Sequence, residues 1–235
     1  DDTDLLKAQR DAAWGEVARR LAHEIKNPLT PIQLSAERIR RKYLDTLADE
    51  DRETLDRSTR TIVQQVETMK TMVNAFSDYA RPAPLDRKPT DVNQLVVDTV
   101  DLFLQAEDKV VITTRLEKGS EAVVLDPNAF RQVLNNVIIN AQDAFPDRTG
   151  EIIISTQINA QTNSFQIMVS DNGPGFPVET LERIFEPYVT SKAKGTGLGL
   201  AICRRIIEEH GGVIRAVNAP EGGATVIISL PLRPL

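Results

Sequence analysis

The spacing of hydrophobic residues changes once along this chain, and that change limits the possible folds more than any other feature. Up to residue 80, apolar side chains recur every three or four positions, a period that predicts helices. Beyond residue 84, short runs rich in valine and isoleucine predict strands between helices. Residues 81–84 read Arg-Pro-Ala-Pro, and proline ends a helix because it lacks a backbone donor. We therefore predict a helical domain over residues 1–84 and a mixed domain over residues 85–235.

The helical part holds two apolar stripes separated by a polar stretch at residues 45–51. Two long helices with one stripe each predict an antiparallel hairpin. A lone hairpin leaves apolar surface uncovered, whereas two copies can enclose it in a four-helix bundle, so we expect a homodimer. The first stripe comprises Val17, Leu21, Ile25, Leu29, Ile32, Ala36 and Ile39, and the second comprises Leu55, Ile62, Val66, Met69, Val73, Phe76 and Ala80.

The mixed part predicts an α+β fold, an α/β sandwich in which helices pack on one face of a sheet. Asp126 followed by Pro127 is a favourable helix start, because a capping carboxylate precedes a proline at the first helical position. The predicted strands cover residues 110–114, 122–125, 152–155, 165–169 and 224–230, and the predicted helices cover residues 92–106, 127–144 and 197–210.

Composition restricts the function classes. The net charge of −6 argues against nucleic acid as a partner. The single cysteine, Cys203, cannot form an internal disulfide, which fits a reducing cytoplasm. No apolar stretch approaches the roughly 18 residues that cross a bilayer, so we expect no direct membrane contact by this part of the protein. A basic cluster in a helical stretch predicts a solvated face, with an acidic partner as the alternative; it comprises Arg38, Arg40, Arg41 and Lys42.

His23 is the first candidate for chemistry. It lies about 200° around the helix from Leu21 and from Ile25, and so faces away from the first stripe. An exposed imidazole is largely neutral at pH 7 and can attack a phosphoryl group, and the neighbouring Glu24 carboxylate can orient the ring or take its proton. Asn27 lies one turn further along on the same face. Taken alone, an exposed histidine on a helix usually has no function.

A second set of candidates lies in the mixed part. Asn136 and Asn140 are one helical turn apart, so their amide oxygens share a face where a hard cation such as Mg²⁺ could bind. Residues 171–175, which read Asp-Asn-Gly-Pro-Gly, follow an apolar strand. The Asp171 carboxylate could accept a hydrogen bond from an exocyclic amine, and Gly173 and Gly175 permit close backbone approach. Each pattern alone is equally explained by a helix surface or a plain turn.

A glycine-rich run opens the last predicted helix. Residues 195–200 read Gly-Thr-Gly-Leu-Gly-Leu, and they place backbone N–H groups and the positive end of the helix dipole where a phosphate can bind. The glycines alternate, so the run is neither the dinucleotide-binding fingerprint nor a P-loop. Lys192 and Lys194 come just before the run and could reach a phosphate.

In this order, the motifs together resemble the catalytic core of sensor histidine kinases. Residues 23–29, which read His-Glu-Ile-Lys-Asn-Pro-Leu, are similar to the phospho-acceptor box of that family, and the run that continues to Ile39 resembles the nitrogen-regulation NtrY branch. The resemblance implies that His23 is autophosphorylated, that Glu24 assists as a base, and that Asn27 supports phosphatase action on the partner. It also implies that the mixed domain has the Bergerat (GHKL) ATP-binding fold.

The resemblance also assigns a nucleotide site, with ATP and Mg²⁺ as cofactors. Asn140 would be the magnesium ligand, Asn136 its helper near the phosphates, and Asp171 the residue that reads the adenine amino group. Gly173 and Gly175 would shape the pocket. The other residues that the resemblance places at the nucleotide are Lys192, Gly195, Thr196, Gly197, Leu198, Gly199 and, through a water, Thr225.

The resemblance further implies a partner and a location. The γ-phosphoryl group would pass to His23 and then to an aspartate in the receiver domain of a response regulator. We expect the chain to be the cytoplasmic portion of an inner-membrane sensor that is anchored upstream. Two alternatives remain open: a dimeric scaffold that binds nucleotide without phosphotransfer, and an ATPase of the gyrase or chaperone type, against which the box around His23 argues.

Overall fold

The computed structural model describes residues 2–80, 84–104, 109–118, 123–147, 149–189 and 197–232. These residues divide into two compact units, a helical unit (2–80) and a mixed unit (84–232). The predicted order of a helical part followed by a mixed α/β part is confirmed. Within the described residues, no helix combines the length and the apolar character that crossing a membrane requires.

The helical unit is a hairpin of α1 (Asp2–Tyr43) and α2 (Asp49–Ala80). Basic residues occupy positions 40–42 in the last turn of α1, and acidic residues occupy positions 49–51 in the first turn of α2. Both placements are favourable, because the C-terminal end of a helix attracts cations and the N-terminal end attracts anions. These charges favour the end of α1 at Tyr43 and the start of α2 at Asp49.

Side-chain contacts hold the two helices together at both ends of the hairpin. Near the turn, the Arg40 guanidinium donates to the Asp56 carboxylate at 2.7 Å and to the Thr59 hydroxyl at 2.9 Å. The hydrogen bond from Arg40 holds the pKa of Asp56 below its usual value, and it outweighs the opposing effect of burial. At the open end, the rings of Trp14 and Phe76 meet edge to face at 6.5 Å.

The basic cluster is only partly the solvated face that its sequence predicts. Arg38, Arg41 and Lys42 are exposed. Arg40 differs, because its side chain is only 24% exposed and forms the ion pair with Asp56. The prediction was wrong for Arg40 because its partner lies on the other helix of the hairpin.

Each predicted apolar stripe separates into two faces. The inner seam of α1 consists mainly of small residues, and it comprises Gly15, Ala18, Ala22, Leu29 and Ala36. Val66 and Thr59 are its buried counterparts on α2. Seven other stripe residues form what we call the outer face, each between 41% and 49% exposed: Val17, Leu21, Ile25, Ile32 and Ile39 on α1 with Ile62 and Met69 on α2. The remaining large stripe residues, Leu55, Val73 and Phe76 on α2, are half-buried. Most residues of the outer face lie three residues after a buried one, and in an antiparallel pair that offset points to the same side of the hairpin.

The mixed unit contains a five-stranded sheet with helices packed against it. The sheet order is β2-β4-β5-β7-β6, in which β2 and β4 pair in parallel and the other neighbours pair antiparallel. A separate two-stranded ladder joins β1 to β3. The elements are β1 (Lys88–Thr90), α3 (Val92–Phe103), β2 (Lys109–Leu116), β3 (Val123–Leu125), α4 (Pro127–Asp143), β4 (Thr149–Asn159), β5 (Ser164–Asp171), α5 (Val178–Leu181), α6 (Gly199–Glu209), β6 (Val213–Asn218) and β7 (Ala224–Pro231).

Capping carboxylates fix where two of these helices begin. Asp91 accepts a hydrogen bond from the backbone of Gln94 at the start of α3. Asp126 accepts from the backbone N–H groups of Asn128 and Ala129 at the start of α4, with Pro127 in the first turn, as predicted. The predicted strands and helices are present with small shifts at their ends, whereas β1 and β6 are strands that the sequence analysis did not predict.

Candidate functional site

His23 lies near the middle of α1 with its side chain in solvent, and Glu24 and Asn27 are exposed as well. A helix turns by about 100° per residue, so His23 and Asn27 differ by about 40° and share one side of α1. By the same geometry, His23 lies on the side opposite the outer face. A group that approaches His23 therefore meets Asn27 and does not meet the apolar residues of that face.

Two prolines follow His23 inside the helix. α1 remains helical through both Pro28 and Pro31. A proline has no N–H, so neither can donate to the carbonyl four residues earlier, and these carbonyls belong to Glu24 and Asn27. The backbone of α1 consequently lacks two of its regular hydrogen bonds directly after His23.

Asp171 ends β5 and is the centre of a polar cluster in the mixed unit. Its Oδ1 atom accepts hydrogen bonds from the backbone N–H of Gly173 at 3.0 Å and of Ala224 at 3.3 Å. Burial raises the pKa of the Asp171 carboxyl above its usual value, although these two hydrogen bonds act in the opposite direction. Within the described residues both bonds use Oδ1, which leaves Oδ2 for an external donor.

Glycines allow the backbone to close around Asp171. Gly223 has φ +91°, and a Cβ at this position would lie 2.0 Å from the Asp171 carbonyl oxygen. Gly173 lies against the end of α4, where an added Cβ would be 3.5 Å from the Cβ of Ala144. The loop after Asp171 is therefore packed one turn beyond Asn140. Gly223 needs both its missing side chain and its unusual backbone angle.

Two further contacts fix the loop and the neighbouring strand. Gly175 has φ +79°. Phe176, which follows it, is held by the Asn218 side chain, which accepts from the Phe176 N–H and donates to the Phe176 carbonyl, each at 2.8 Å. On the next strand, the Thr225 hydroxyl lies 2.9 Å from the hydroxyl of Ser170, its partner in the β5–β7 ladder. Thr225 is thus one residue along its strand from Ala224, whose N–H bonds to Asp171.

The candidate cation-binding amides lie on α4, and both are half-buried. The Asn136 side chain donates to the Gly199 carbonyl at 3.3 Å, which joins α4 to the first residue of α6. Asn140 lies one turn further along the same side. In the described residues, no group of three or more histidine, cysteine, aspartate or glutamate side chains could hold a metal ion. A single amide oxygen suits Mg²⁺ only where waters and phosphates complete the shell.

The start of α6 has open space beside Gly199. Leu198 precedes the helix without a side-chain cap, and Gly199 has no atom within 4 Å of an added Cβ. Gly197 has φ +70° and its carbonyl accepts from the Tyr188 N–H at 2.8 Å. The first turn of a helix favours anions, because its N–H groups have no partner within the helix and the helix dipole is positive there. The predicted contacts of Lys192, Gly195 and Thr196 lie outside the described residues, as does Lys194.

Known families match both units. The "His Kinase A (phospho-acceptor) domain" family matches residues 13–84, and the "Histidine kinase-, DNA gyrase B-, and HSP90-like ATPase" family matches residues 125–234. The chain belongs to the sensor histidine kinase family. The first match contains His23, and the second contains Asn136, Asn140, Asp171 and the start of α6.

Individual relatives agree with this membership. Over 98% of the chain, the sequence is 44% identical to the nitrogen regulation protein NtrY of Azorhizobium caulinodans, and the match covers 30% of that protein. The solved catalytic domain of the histidine kinase ThkA matches with a TM-score of 0.57 and 32% identity, over 62% of this chain and 95% of that one. ThkA solved in complex with the response regulator protein TrrA matches with a TM-score of 0.69 and 30% identity, over 97% of this chain and 64% of that one. The chain spans about a third of the length of the curated relatives it matches.

Two residues around Asp171 are not among the predicted site residues. Gly223 and Asn218 shape the surroundings of Asp171, yet neither carries a reactive group. The signal for Gly223 was present in the paired glycines at positions 222 and 223. Asn218 gave no signal, because its partner Phe176 lies 42 residues away in sequence.

Proposed function

We propose that this histidine kinase core transfers the γ-phosphoryl group of ATP–Mg²⁺ to His23 and then to an aspartate of a response regulator. The observation that carries the proposal is an exposed histidine in a phospho-acceptor helix, in the same chain as an ATPase-family unit built around Asp171. In the first step, the unprotonated ring nitrogen of His23 attacks the γ-phosphorus. The bond from that phosphorus to the bridging oxygen breaks, and ADP leaves. Glu24 takes the ring proton.

The nucleotide would be held by the polar cluster of the mixed unit. The Asp171 Oδ2 atom is the acceptor for the adenine amino group, and Thr225 assists from the neighbouring strand through a water. The amides at the start of α6, from Gly197 to Gly199, accommodate phosphate. By the family resemblance, Asn140 would be a ligand of Mg²⁺, and Lys192, Gly195 and Thr196, which lie outside the described residues, would contact phosphate.

A response regulator would dock on the side of α1 that carries His23. Leu34, Arg38 and Arg41 continue this side towards the hairpin turn, and all three are exposed. An exposed leucine beside two guanidinium groups suits a partner with an apolar patch next to an acidic site, and the acceptor aspartate of a receiver domain provides such a site. ThkA has been solved with its response regulator TrrA, which supports a partner of this class.

The outer face would be covered by a second copy of the chain. Its isoleucines and leucine are between 41% and 46% exposed in one copy, and a second hairpin would bury them in a four-helix bundle. The dimer leaves His23 accessible, because that residue lies on the opposite side of α1. We also propose that the chain is the cytoplasmic portion of a membrane-anchored sensor.

The test of the kinase function uses γ-labelled ATP with the wild type and His23→Gln. Label that is acid-labile and base-stable on the wild type, and absent from His23→Gln, supports the proposal, because a P–N bond has that stability whereas phosphoserine and phospho-aspartate do not. Nucleotide affinity should be nearly the same in both proteins. ATP binding without any label on the wild type would favour the alternative, a dimeric nucleotide-binding scaffold.

A substitution of Asn27 should affect the phosphatase reaction much more than the kinase reaction. Its amide can orient a water for attack on a phospho-aspartate, but it cannot act as a strong base at pH 7. We expect Asn27→Ala to keep most autophosphorylation and to slow dephosphorylation of the regulator about tenfold or more, on the scale of a lost positioning group. The measurement follows the decay of purified phospho-regulator with ADP and each protein. Equal decay with wild type and variant would reject this role.

A further inference from the structure

The second histidine of the chain, His210, is buried and takes part in none of the steps above. It ends α6 and is 8% exposed. Its Nε2 atom lies 3.0 Å from the backbone N of Asp126, and its Nδ1 atom lies 2.7 Å from the carbonyl oxygen of Ile206. The Asp126 N–H can only donate and the Ile206 carbonyl can only accept. The ring therefore accepts at Nε2 and donates from Nδ1, which makes it the neutral tautomer with its proton on Nδ1.

This contact is the first of three that join α4 and α6 along their length. Cys203 Sγ lies 3.8 Å from the Val133 carbonyl in the middle, and Asn136 donates to Gly199 at the far end. The order shows that the two helices run antiparallel, with the end of α6 at the start of α4. The outer two contacts are about 15 Å apart at 1.5 Å per residue. A shift at His210 is therefore carried along a rigid helix to Gly199.

Asp126 is itself held firmly, which makes it a fixed point for α6. Its carboxylate caps α4 and also accepts from the backbone N–H of Asp86 at 2.9 Å. The adjoining Arg87 donates to the carbonyl of Glu209, the residue before His210. Residues 84–87, which we call the connecting segment, thus touch both helix ends where they meet.

We propose that His210 is a positioning residue that fixes α6 on the capping turn of α4 and so sets the distance between Gly199 and the amides of Asn136 and Asn140. The proposal rests on the proposed kinase function for its effect on rate. Adenine recognition at Asp171 depends on β5 and β7, and not on α6. Loss of the contact should therefore reduce phosphoryl transfer at saturating ATP much more than it reduces ATP affinity.

Two conservative variants separate the two contacts of the ring. The side-chain oxygen of glutamine reaches about as far as Nε2, so His210→Gln can still accept from the Asp126 N–H. The side-chain nitrogen of asparagine lies about where Nδ1 does. His210→Asn therefore keeps the hydrogen bond to the Ile206 carbonyl and loses the one from the Asp126 N–H. We expect His210→Asn to lower the saturating autophosphorylation rate about tenfold with an ATP dissociation constant within about threefold of wild type, since small misplacements of reacting groups are costly. His210→Gln should stay within about threefold of the wild-type rate.

A structural readout keeps this test independent of the kinase reaction. Hydrogen exchange of the amides in the first turn of α6, measured without nucleotide, should be faster in His210→Asn than in wild type, and close to wild type in His210→Gln. All proteins are compared below the melting temperature of the least stable one, as followed by circular dichroism. If the wild type incorporates no label, the kinase proposal fails while the exchange data still test His210.

Three outcomes would overturn the inference. Wild-type rate and wild-type exchange in folded His210→Asn would mean that the Asp126 contact does not position α6. Equal losses in His210→Gln and His210→Asn would mean that the ring acts only by filling space. A tenfold rise in the ATP dissociation constant with an unchanged saturating rate would contradict the predicted split between transfer and binding.

Discussion

The largest fully buried side chains of the described residues all lie in the mixed unit, and among them are Phe130, Phe165 and Leu134. In the helical unit the buried residues of α1 are glycine, alanine and one leucine, while its isoleucines remain partly in solvent. The mixed unit therefore closes its own core. The helical unit packs its two helices through small residues and leaves its isoleucines partly exposed, and in the proposed dimer a second copy covers them. If the proposed dimer forms, we expect the stability of the helical unit, but not that of the mixed unit, to depend on protein concentration.

The largest effect is expected for a core residue of the mixed unit. Phe130 is fully buried, so Phe130→Ala should lower the free energy of unfolding by about 3–5 kcal/mol, through lost apolar contact and the cavity left behind. The loss should be the same at low and high protein concentration, because the core lies within one chain. Urea unfolding followed by circular dichroism measures it, with Val178→Ala, at a 79% exposed position, as the control. A concentration-dependent loss would contradict a self-contained core.

Asp171→Asn should weaken ATP binding about tenfold to a hundredfold, since hydrogen bonds to a charged group contribute about 1.5–3 kcal/mol. The amide would present a donor to the adenine amino group where the carboxylate presents an acceptor. Titration with ATP by calorimetry measures the change. Asp98→Asn, on the exposed side of α3, is the matched control. Unchanged affinity in Asp171→Asn would remove Asp171 from the nucleotide site.

The same variant separates binding from stability. Burial raises the pKa of Asp171, so the folded protein binds a proton more tightly than the unfolded chain at pH values above the usual 3.8. The contribution of Asp171 to the free energy of unfolding therefore falls as the pH rises from the usual pKa of 3.8 through the raised pKa of the folded state. Asp171→Asn should consequently unfold at neutral pH with a free energy no lower than that of wild type. A clear loss of stability would mean that the carboxylate has a structural role.

Ile32→Ala should weaken self-association about tenfold, because each copy would lose apolar surface from the outer face. Leu34→Ala is the control, since Leu34 is 59% exposed and lies on the side of α1 that carries His23. Sedimentation equilibrium measures the dissociation constant of each protein. Equal effects of the two variants would mean that the outer face is not where two copies meet.

The smallest effect concerns acid sensitivity, and it compares two aspartates whose pKa is lowered. Burial opposes ionisation of Asp126, but the N–H groups of Asp86, Ala129 and Asn128 together lower its pKa below the usual 3.8. Asp56 is held mainly by the Arg40 side chain. Each contributes stability above the usual pKa that is lost as the pH falls through the folded value. The free energy of unfolding of Asp126→Asn and of Asp56→Asn should therefore vary less with acid than that of wild type.

Salt separates the two aspartates. Screening weakens the half-buried Arg40–Asp56 ion pair, which still contacts solvent, whereas backbone hydrogen bonds to Asp126 are much less sensitive. At high salt, wild type and Asp56→Asn should differ less in how their free energy of unfolding changes with acid. The corresponding difference between wild type and Asp126→Asn should persist. Acid titrations of unfolding at low and high salt provide the measurement. An equal salt response in both variants would contradict this distinction.

Local patterns predicted most of the elements, because hydrophobic period, capping residues and proline act within a few residues. The start of α4 is an example, since Asp126 and Pro127 fix it together. β1 was missed because Lys88, Pro89 and Thr90 carry no apolar run, and the strand exists only through pairing with β3. The period of the α1 stripe was right, but a period alone does not distinguish an inner seam from an outer face. That distinction depends on which helix packs against α1.

In the candidate site, too, the sequence predicted the local features and missed the contacts that depend on tertiary packing. The order of motifs pointed to Asp171, Asn140 and the start of α6, because reactive groups and glycines are visible in the sequence. The residues that hold these site residues in place could not be recognised in the sequence. His210 bonds to a residue 84 positions away, and Asn218 bonds to one 42 positions away, so both contacts arise only when the sheet and its helices have formed.

The edge-to-face contact at the open end of the hairpin gives the protein a built-in optical probe. Trp14 is the only tryptophan in the chain, and its ring meets that of Phe76. Indole emission excited at the red edge of its absorption band therefore originates from one helix contact, and the mixed unit contributes no tryptophan of its own. Emission and circular dichroism recorded in one melt should consequently resolve the separation of the two helices from the loss of the remaining secondary structure.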